Sequence, residues 1–189
     1  MSRLTHSGAR VSLKRPQAGH REEFLRLNRA SRRLHLGSVS PPVTARQFAA
    51  YLARRRRADC PGFLICRVAG GAIVGGINFN EIVRGSFHSA YLGCQIGAPF
   101  ARHGYMTEAL GLALRVAFER LRLHRVEANI QPGNRPSIAL VRRAGFRREG
   151  LSRRYLKIGG RWRDHERWAI LAEAWRARRG SRTRRRGLG

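Results

Sequence analysis

The sequence predicts an α/β (α+β) fold in which one mixed β-sheet carries helices on both of its faces. Glycine-rich turns at Gly70-Gly71 and Gly159-Gly160 separate β-patterned segments, which is typical of antiparallel hairpins. Two segments with helical periodicity, near 105–121 and 136–145, separate other strands, as crossover connections do. The length of 189 residues and the hydrophobic content of 42% fit one domain with a packed core.

The first half of the chain predicts a strand, two helices and then three further strands. A short β pattern over 10–15 ends at Pro16, and the spacing of apolar residues predicts a helix over 19–33. Thr44 is the predicted N-cap of a second helix, because its hydroxyl accepts from an amide of the first turn. The three strands are predicted over 63–69, 72–82 and 87–96.

The second half predicts a long helix, a strand, a short helix and a final hairpin. In the helix over 105–121, Leu110, Leu114 and Phe118 recur at a spacing of four. The later segments are a strand over 125–131, a helix from Pro136 that stops at Gly145, and two strands joined at Gly159-Gly160. Seven arginines follow Trp175 with little apolar content, which predicts a domain of 1–175 and a disordered tail of 176–189.

The formal net charge of +28 is the strongest signal in the composition. Arginine supplies nearly all of it, since Lys14 and Lys157 are the only lysines, and only 11 residues are acidic. Such a charge attracts polyanions, which include RNA, ribosomes and nucleotide cofactors. It carries no information about the fold.

Several kinds of site and location are not indicated. No apolar run reaches the roughly 18 residues of a membrane helix, and 1–10 lack a secretory signal, so the cytoplasm is expected with no membrane partner. Cys60, Cys66 and Cys94 have no CxxC spacing, so we expect small buried hydrophobes rather than a disulfide framework or a metal site.

The junction between the strand ending at Ile96 and the helix beginning near Tyr105 is a candidate anion site. Gly104 lets backbone amides of the turn point together, and a helix N-terminus adds about half a positive charge. Arg102 and His103 lie beside it. These features predict a pyrophosphate site, although an ordinary glycine loop has the same local pattern.

This segment resembles the acyl-CoA loop of GNAT acetyltransferases, Arg/Gln-x-x-Gly-x-Gly/Ala. Gly104 stands at the invariant glycine, and the following Tyr-x-Thr-Glu-Ala is a common continuation in that family. Ala101 stands where Arg or Gln is usual, and Met106 where a small residue is usual. The resemblance implies an acetyl-CoA site at Ile96, Arg102, His103, Gly104, Tyr105, Met106 and Thr107.

A second segment is similar to the GNAT pattern Asn-x-x-Ser-x-x-Leu-x-x-x-Gly-Phe. It runs from Asn134 through Ser137 to Gly145 and Phe146. An N-cap, a short helix and a glycine stop would explain Asn134 and Gly145 by themselves, but not the distance to the first motif. The resemblance implies that Asn134 contacts the pantetheine arm and that Ser137 protonates the departing sulfur.

Two further stretches narrow the resemblance to the RimJ/RimL type of ribosomal-protein-alanine N-acetyltransferases. They span 83–93 and 155–165. The implied fold is a mostly antiparallel twisted sheet whose central parallel strands splay apart to admit acetyl-CoA, with the main chain near Ile96 polarising the thioester. The implied acceptor is a protein's N-terminal amine, typically the alanine of a ribosomal protein, which attacks directly in a ternary complex.

The general base is the open question of this mechanism. Glu81, His88 and Asp164 are candidates, and Glu81 is the residue we predict together with Ser137. A solvated Glu81 and an Asp164 paired with an arginine are the competing interpretations. An α-amino group, with a pKa of about 7.7–8.0, is partly free at neutral pH and needs little help from a base.

Two other functions remain open at this stage. A basic RNA-binding module, such as a ribosome-assembly factor, would explain the charge and the arginine-rich tail, although the chain lacks a GXXG clamp and an aromatic ribonucleoprotein motif. Both readings are compatible if the enzyme contacts rRNA through its basic surface and tail. An acetyltransferase of a small amine such as a polyamine would need an acidic cleft, for which 11 acidic residues offer little material.

Overall fold

The computed structural model of the chain describes residues 6–186, with side chains for residues 6–180. The strands are β1 His6–Ser7, β2 Val11–Lys14, β3 Gly62–Arg67, β4 Ile73–Val83, β5 Ser89–Ile96, β6 Arg125–Ile130, β7 Arg147–Ile158 and β8 Arg161–Leu171. The helices are α1 Arg21–Ala30, α2 Arg32–His35, α3 Ala45–Arg56, α4 Tyr105–Arg115, α5 Arg135–Ala144 and α6 Ala172–Arg186. A π-helical turn, Val116–Arg120, extends α4.

All eight described strands form one sheet with the order β1-β2-β3-β4-β5-β6-β8-β7. Among the described strands only β5 and β6 are parallel, and every other neighbouring pair is antiparallel. The final hairpin folds back so that β8 lies beside β6 and β7 forms the edge. The predicted mixed, mostly antiparallel sheet is therefore confirmed.

Helices cover both faces of this sheet, as the sequence predicts. On one face α4 and α6 contribute Leu110, Phe118 and Trp175 to the larger core. On the other face α1 and α3 bury Phe24 and Phe48, whose rings lie 5.9 Å apart. Burying a large apolar side chain contributes about 1.5–3 kcal/mol, so these two clusters fix the helices against the strands.

The helix boundaries follow from local chemistry. Thr44 is confirmed as an N-cap, because its Oγ1 accepts from Gln47 N at 3.3 Å while Gln47 Oε1 accepts from Thr44 N at 3.1 Å. Gly145 ends α5 with a φ of 100°, a left-handed conformation that glycine adopts without strain. The helix predicted over 19–33 is interrupted at Ser31, where α1 gives way to the short α2.

The predicted disorder from residue 176 onward differs from the structure, in which α6 continues to Arg186. Trp175 packs against Phe118 at 5.3 Å, and the Arg179 guanidinium lies 4.8 Å from the Trp175 ring and pairs with Glu119. Arginine is a good helix former, so a helix anchored by Trp175 continues despite its low apolar content. Residues 187–189 of the predicted tail lie outside the described residues.

Two further observations concern membranes and metals. Within residues 6–186, no helix combines the length and the apolar character needed to cross a bilayer. The same residues contain no group of three or more His, Cys, Asp or Glu side chains placed to hold a metal ion. Cys60 and Cys66 are buried, and desolvation raises the pKa of the Cys94 thiol to about 11, so the thiols behave as small core residues.

Candidate active site

The two parallel strands separate after a short paired segment. Their register consists of Ser89 with Arg125, Ala90 with Val126, and Tyr91 with Glu127. Beyond this point β5 and β6 continue without pairing to each other, while each stays bound to its outer neighbour. Backbone amides and carbonyls along these inner edges need partners, so an extended ligand that carries amide groups can lie between them.

A loop leads from the end of β5 into α4 and changes direction through two left-handed residues. Arg102 has a φ of 65° and Gly104 a φ of 79°, and Gly104 is the N-cap of α4. A Cβ at Gly104 would lie 3.0 Å from Arg10 Nη2, so both conformation and space favour glycine. The loop amides and the positive end of α4 thus follow the C-terminal end of β5, the strand that borders the gap.

Hydrogen bonds from Arg10 to Glu108 and to His103 fix this loop in place. Glu108 Oε1 accepts from Arg10 N at 2.8 Å, and Glu108 Oε2 lies 3.1 Å from Arg10 Nε. Arg10 Nη1 donates to His103 O at 3.1 Å. Burial by itself would raise the pKa of Glu108, but the hydrogen bonds from Arg10 and Val11 outweigh it and lower that pKa. The sequence motif contains Glu108, but its partner Arg10, immediately before β2, was not predicted.

The aromatic and cationic side chains of the loop stack on one another. The His103 and Tyr105 rings lie 5.9 Å apart at an interplanar angle of 17°, and the Arg10 guanidinium lies 5.6 Å from the Tyr105 ring centroid. Met106 is half-buried against the larger core, while Arg102 and Thr107 are exposed. The predicted loop residues therefore lie together at the start of α4.

The second motif lies at the end of β6. Asn134 is the N-cap of α5, and its Oδ1 accepts from Ser137 N at 3.2 Å. The Ser137 side chain is half-buried, and within residues 6–180 its hydroxyl has no hydrogen-bonding partner. The hydroxyl is therefore free to donate to a ligand.

The three base candidates have different surroundings. Glu81 lies on β4, at the opposite end from Gly75, which pairs with Ile96. Its side chain is 66% exposed, and its carboxylate lies 4.0 Å from the Arg54 guanidinium. Asp164 Oδ1 accepts from the Arg154 amide at 2.7 Å in an irregular part of the β7–β8 hairpin. His88 is exposed. No hydrogen bond or ion pair between described residues links Glu81 to Ser137. Their catalytic roles therefore stay a prediction.

A polar cluster that the sequence did not predict lies where the parallel strands begin to diverge. Glu127, only 13% exposed, accepts from Arg125 Nε at 3.0 Å and from Arg167 Nη2 at 2.5 Å. On the same face the Tyr91 and Tyr155 hydroxyls lie 3.4 Å apart. The hydrogen bond with Tyr155, together with desolvation, raises the pKa of Tyr91 to about 12, so its hydroxyl keeps its proton at neutral pH.

This cluster is held from two sides. Arg125 also binds Glu149 on β7, and this contact above all raises the pKa of Arg125. The Arg167 guanidinium lies 4.8 Å from the Tyr155 ring centroid. Tyr91 and Tyr155 lie in the two stretches that resemble the RimJ/RimL type, and this resemblance was the one feature of the sequence that could have indicated these two residues. Their contact required the tertiary pairing of β6 with β8.

A sheet with one splayed parallel pair, a glycine-capped helix beyond it and an Asn–Ser helix start define an acetyltransferase of the acyl-CoA-binding class. Comparison with known proteins agrees: the acetyltransferase (GNAT) domain matches residues 10–147. The chain therefore belongs to the GNAT acetyltransferase family.

The relatives include proteins named as acetyltransferases of ribosomal proteins. The chain is 44% identical over 103 residues to the ribosomal protein uS5-alanine N-acetyltransferase of Escherichia coli, covering 54% of this chain and 53% of that protein. The chain thus spans about half the length of this curated relative. Mycobacterium smegmatis RimJ in complex with CoA-disulfide superposes with a TM-score of 0.78 at 30% identity, covering 86% of this chain and 82% of that one. A ribosomal-protein-S5-alanine acetyltransferase from Vibrio fischeri, 20% identical, shares the fold with a TM-score of 0.79 over 91% and 98% of the two chains.

Proposed function

We propose that the chain is an acetyl-CoA-dependent N-acetyltransferase whose acceptor is the N-terminal alanine of a ribosomal protein. The observation that carries the proposal is the divergence of β5 and β6 toward the glycine-capped start of α4. The inner strand edges offer amides and carbonyls to a pantetheine arm, and the helix start offers amides to a pyrophosphate. Arg102 adds positive charge beside it, and His103 is its neighbour in the loop.

The departure at Ala101 is compatible with this site. The left-handed conformations of Arg102 and Gly104 set the direction of the loop amides, so the main chain rather than the missing Arg or Gln side chain contacts the phosphates. The position of Asn134 at the start of the helix that follows β6 supports its proposed contact with the pantetheine.

The proposed reaction is a direct transfer. Acetyl-CoA supplies a thioester carbonyl, which the main chain near Ile96 polarises in the manner of an oxyanion hole. The amine nitrogen forms the new bond to the carbonyl carbon as the carbon–sulfur bond breaks. The amine loses a proton to water, which passes it to Glu81, while the Ser137 hydroxyl donates a proton to the departing sulfur and regains one from water.

An N-terminal acceptor fits the modest base in this site. Tyr91, with a pKa of about 12, acts as a hydrogen-bond donor and not as a base. Both oxygens of Glu127 are occupied by arginines. An α-amino group with a pKa of about 7.7–8.0 supplies free amine at neutral pH, so water suffices as the first proton acceptor, and the exposed Glu81 at the other end of β4 takes the proton from water.

The printed names of the relatives support the ribosomal acceptor, since the Escherichia coli protein acetylates alanine of uS5. A polyamine acceptor is less well supported, because a polycation needs uncompensated carboxylates and the buried Glu127 already binds two arginines. Ribosomal proteins are cytoplasmic substrates in bacteria, so a cytoplasmic location is part of the proposal.

Coenzyme A binding to a Gly104→Glu variant tests the cofactor site. A side chain at φ 79° strains the loop, and a carboxylate repels the pyrophosphate, so we expect the Kd measured by calorimetry to rise at least about tenfold. Gly85→Glu is the matched control, because Gly85 has a φ of 63° in an open turn with no neighbour within 4 Å. Equal Kd values for the two variants would contradict the site.

The same series tests Ser137 and the acceptor. Ser137→Ala should leave the Kd for coenzyme A within about twofold and lower kcat on the order of 100-fold.

Mass spectrometry should find acetyl transfer to ribosomal-protein peptides with a free N-terminal alanine, and none to the same peptides with blocked amines. Transfer to spermidine in place of these peptides would replace the proposed acceptor.

One observation favours a second role in ribosome contact. The net charge of +28 is accompanied by a C-terminal helix, α6, whose sequence is rich in arginine. We propose that rRNA is the polyanion that this surface meets, so that the basic-module hypothesis becomes part of the enzyme's function.

A further inference from the structure

One short segment contacts both of the diverging strands. The buried His35 places its Nε2 2.9 Å from the carbonyl oxygen of Ile96, at the end of β5. Two residues later, Gly37 O accepts from Gln131 Nε2 at 2.6 Å, directly after the end of β6. We call His35–Gly37 the strap, because it crosses from one side of the cofactor gap to the other.

The strap follows a fixed point at Ser31, between α1 and α2. The buried Ser31 hydroxyl donates to Leu27 O at 2.7 Å and accepts from Ala98 N at 2.8 Å. A Cβ at Gly97 would lie 2.3 Å from Leu27 Cδ1, so α1 approaches the backbone after β5 closely. The β5 side of the gap is therefore tied to both ends of α2, through Ser31 to Ala98 and through His35 to Ile96.

On the β6 side, one hydrogen bond between described residues, from Gln131 Nε2 to Gly37 O, holds the strap. Leu36 is 86% exposed, so its side chain does not pack the strap against the core. Gln131 also accepts from Asn134 N at 2.9 Å through its main chain, which connects the strap to the turn before Ser137. A carbonyl only accepts, so the Gln131 amide and the His35 Nε2–H are the donors in these two bonds.

We propose that His35 and Gln131 are positioning residues that hold the ends of β5 and β6 at the separation required for acetyl transfer. The inference rests on the proposed function and assigns to the strap the spacing between the Ile96 main chain and the Asn134–Ser137 turn. Beyond Tyr91 and Glu127 no ladder hydrogen bonds join the strands, so the strap substitutes for the missing ladder. A misplacement of about 1 Å between reacting groups costs on the order of 100-fold in rate.

Gln131→Glu is the sharpest test, because it keeps the shape of the side chain and replaces a donor with an acceptor facing Gly37 O. We expect kcat for acetyl transfer to fall at least about tenfold, with the Kd for coenzyme A within about threefold and Tm close to that of the unaltered protein. Gln47→Glu is the control, since Gln47 Oε1 only accepts, from Val43 N and Thr44 N, and a carboxylate does the same.

His35 is tested by rescue. His35→Gln retains a donor and should recover most of the kcat that His35→Leu loses, since leucine has a similar volume but no donor; a purely steric role would leave these two variants equal. Because both residues act through one segment, the losses in His35→Leu and Gln131→Glu should be less than additive. An unchanged kcat in Gln131→Glu overturns the proposal.

A second readout is independent of catalysis. Gln131→Glu should accelerate amide hydrogen exchange in peptides that cover 97–100, on the β5 side, although the altered residue lies on the β6 side. If the unaltered protein transfers no acetyl group, the proposed function fails, and exchange still decides whether the strap couples the two strands. Exchange at 97–100 that equals that of the Gln47→Glu control overturns the strap.

Discussion

Glu108 contributes at the scale of a single residue by joining β2 to the first turn of α4. Its carboxylate accepts from the amides of Arg10 and Val11 and pairs with the Arg10 side chain. Gly8 passes so close that a Cβ there would lie 2.3 Å from Glu108 Oε1. The position of the cofactor loop thus depends on a carboxylate whose partners precede it by nearly a hundred residues.

Glu108 should therefore make stability depend on pH. Its folded-state pKa is lowered below the usual 4.5, so its contribution is complete above that pH and is lost as the pH falls through the folded pKa. Glu108→Gln should lower the free energy of unfolding by about 1 kcal/mol at pH 7, and the difference should shrink toward pH 3. Urea unfolding at both pH values measures it.

Glu22→Gln is the control for that series. Glu22 pairs with Arg21 in an exposed position on α1, where an ion pair contributes little. We expect its free energy of unfolding to match that of the unaltered protein. A Glu108→Gln difference that is the same at pH 7 and pH 3 would show that the carboxylate charge is not the cause.

At the scale of an element, α6 is held by its first turn. Trp175 is buried against Phe118 in the π-helical turn after α4, while Arg178 Nη2 donates to Arg143 O at 3.2 Å on α5. The helix therefore contacts both helices that carry the cofactor motifs. The first two turns of α6 are therefore part of the packed domain, although the arginine-rich composition of the helix is typical of a disordered tail.

Trp175→Ala should destabilise the domain by about 3–5 kcal/mol, because it leaves a cavity beside Phe118. Denaturant unfolding followed by circular dichroism measures the change. Trp162→Ala is the matched control: Trp162 is 60% exposed on the β7–β8 hairpin, and its loss should change stability by about 0.5 kcal/mol or less. Similar losses in both variants would mean that α6 is not anchored through Trp175.

At the scale of the whole molecule, the net charge of +28 bears on how the enzyme meets its acceptor. A strongly cationic enzyme repels an isolated cationic protein but is attracted to a particle that carries RNA phosphates. The proposed acceptor is therefore best encountered on a ribosomal particle. The cationic end of α6 is the segment that can be removed without disturbing Trp175.

Truncation after Gly180 removes four arginines, at 182, 184, 185 and 186, and preserves the Trp175 anchor. We expect unchanged coenzyme A binding and weaker co-sedimentation with ribosomal particles, with the loss largest at low salt. Each lost phosphate contact should reduce the slope of log K against log salt by about 0.7–0.9. Co-sedimentation that is unchanged at low salt would exclude a role for this segment.

The local features of the fold could be predicted from the sequence because they depend on short-range chemistry. Thr44 and Gly145 set helix ends through hydrogen bonds and backbone conformations within a few residues. Gly104, Asn134 and Ser137 occupy the predicted positions at two helix starts. The predicted class, a mixed sheet with helices on both faces, followed from hairpin turns and helical periodicity.

Only the tertiary structure decided which distant residues meet. The contacts of Arg10 with Glu108, Glu127 with Arg167, and His35 with Ile96 depend on the order of strands and on packed helices. Composition failed for α6, because one buried tryptophan outweighs a run of arginines. The sequence by itself determined most of the strands and helices and the two motif segments, since these rest on periodicity and on local backbone chemistry. The long-range contacts around the site could be recognised only from the tertiary structure, since hydrogen bonds between remote residues leave no periodic signal in one sequence.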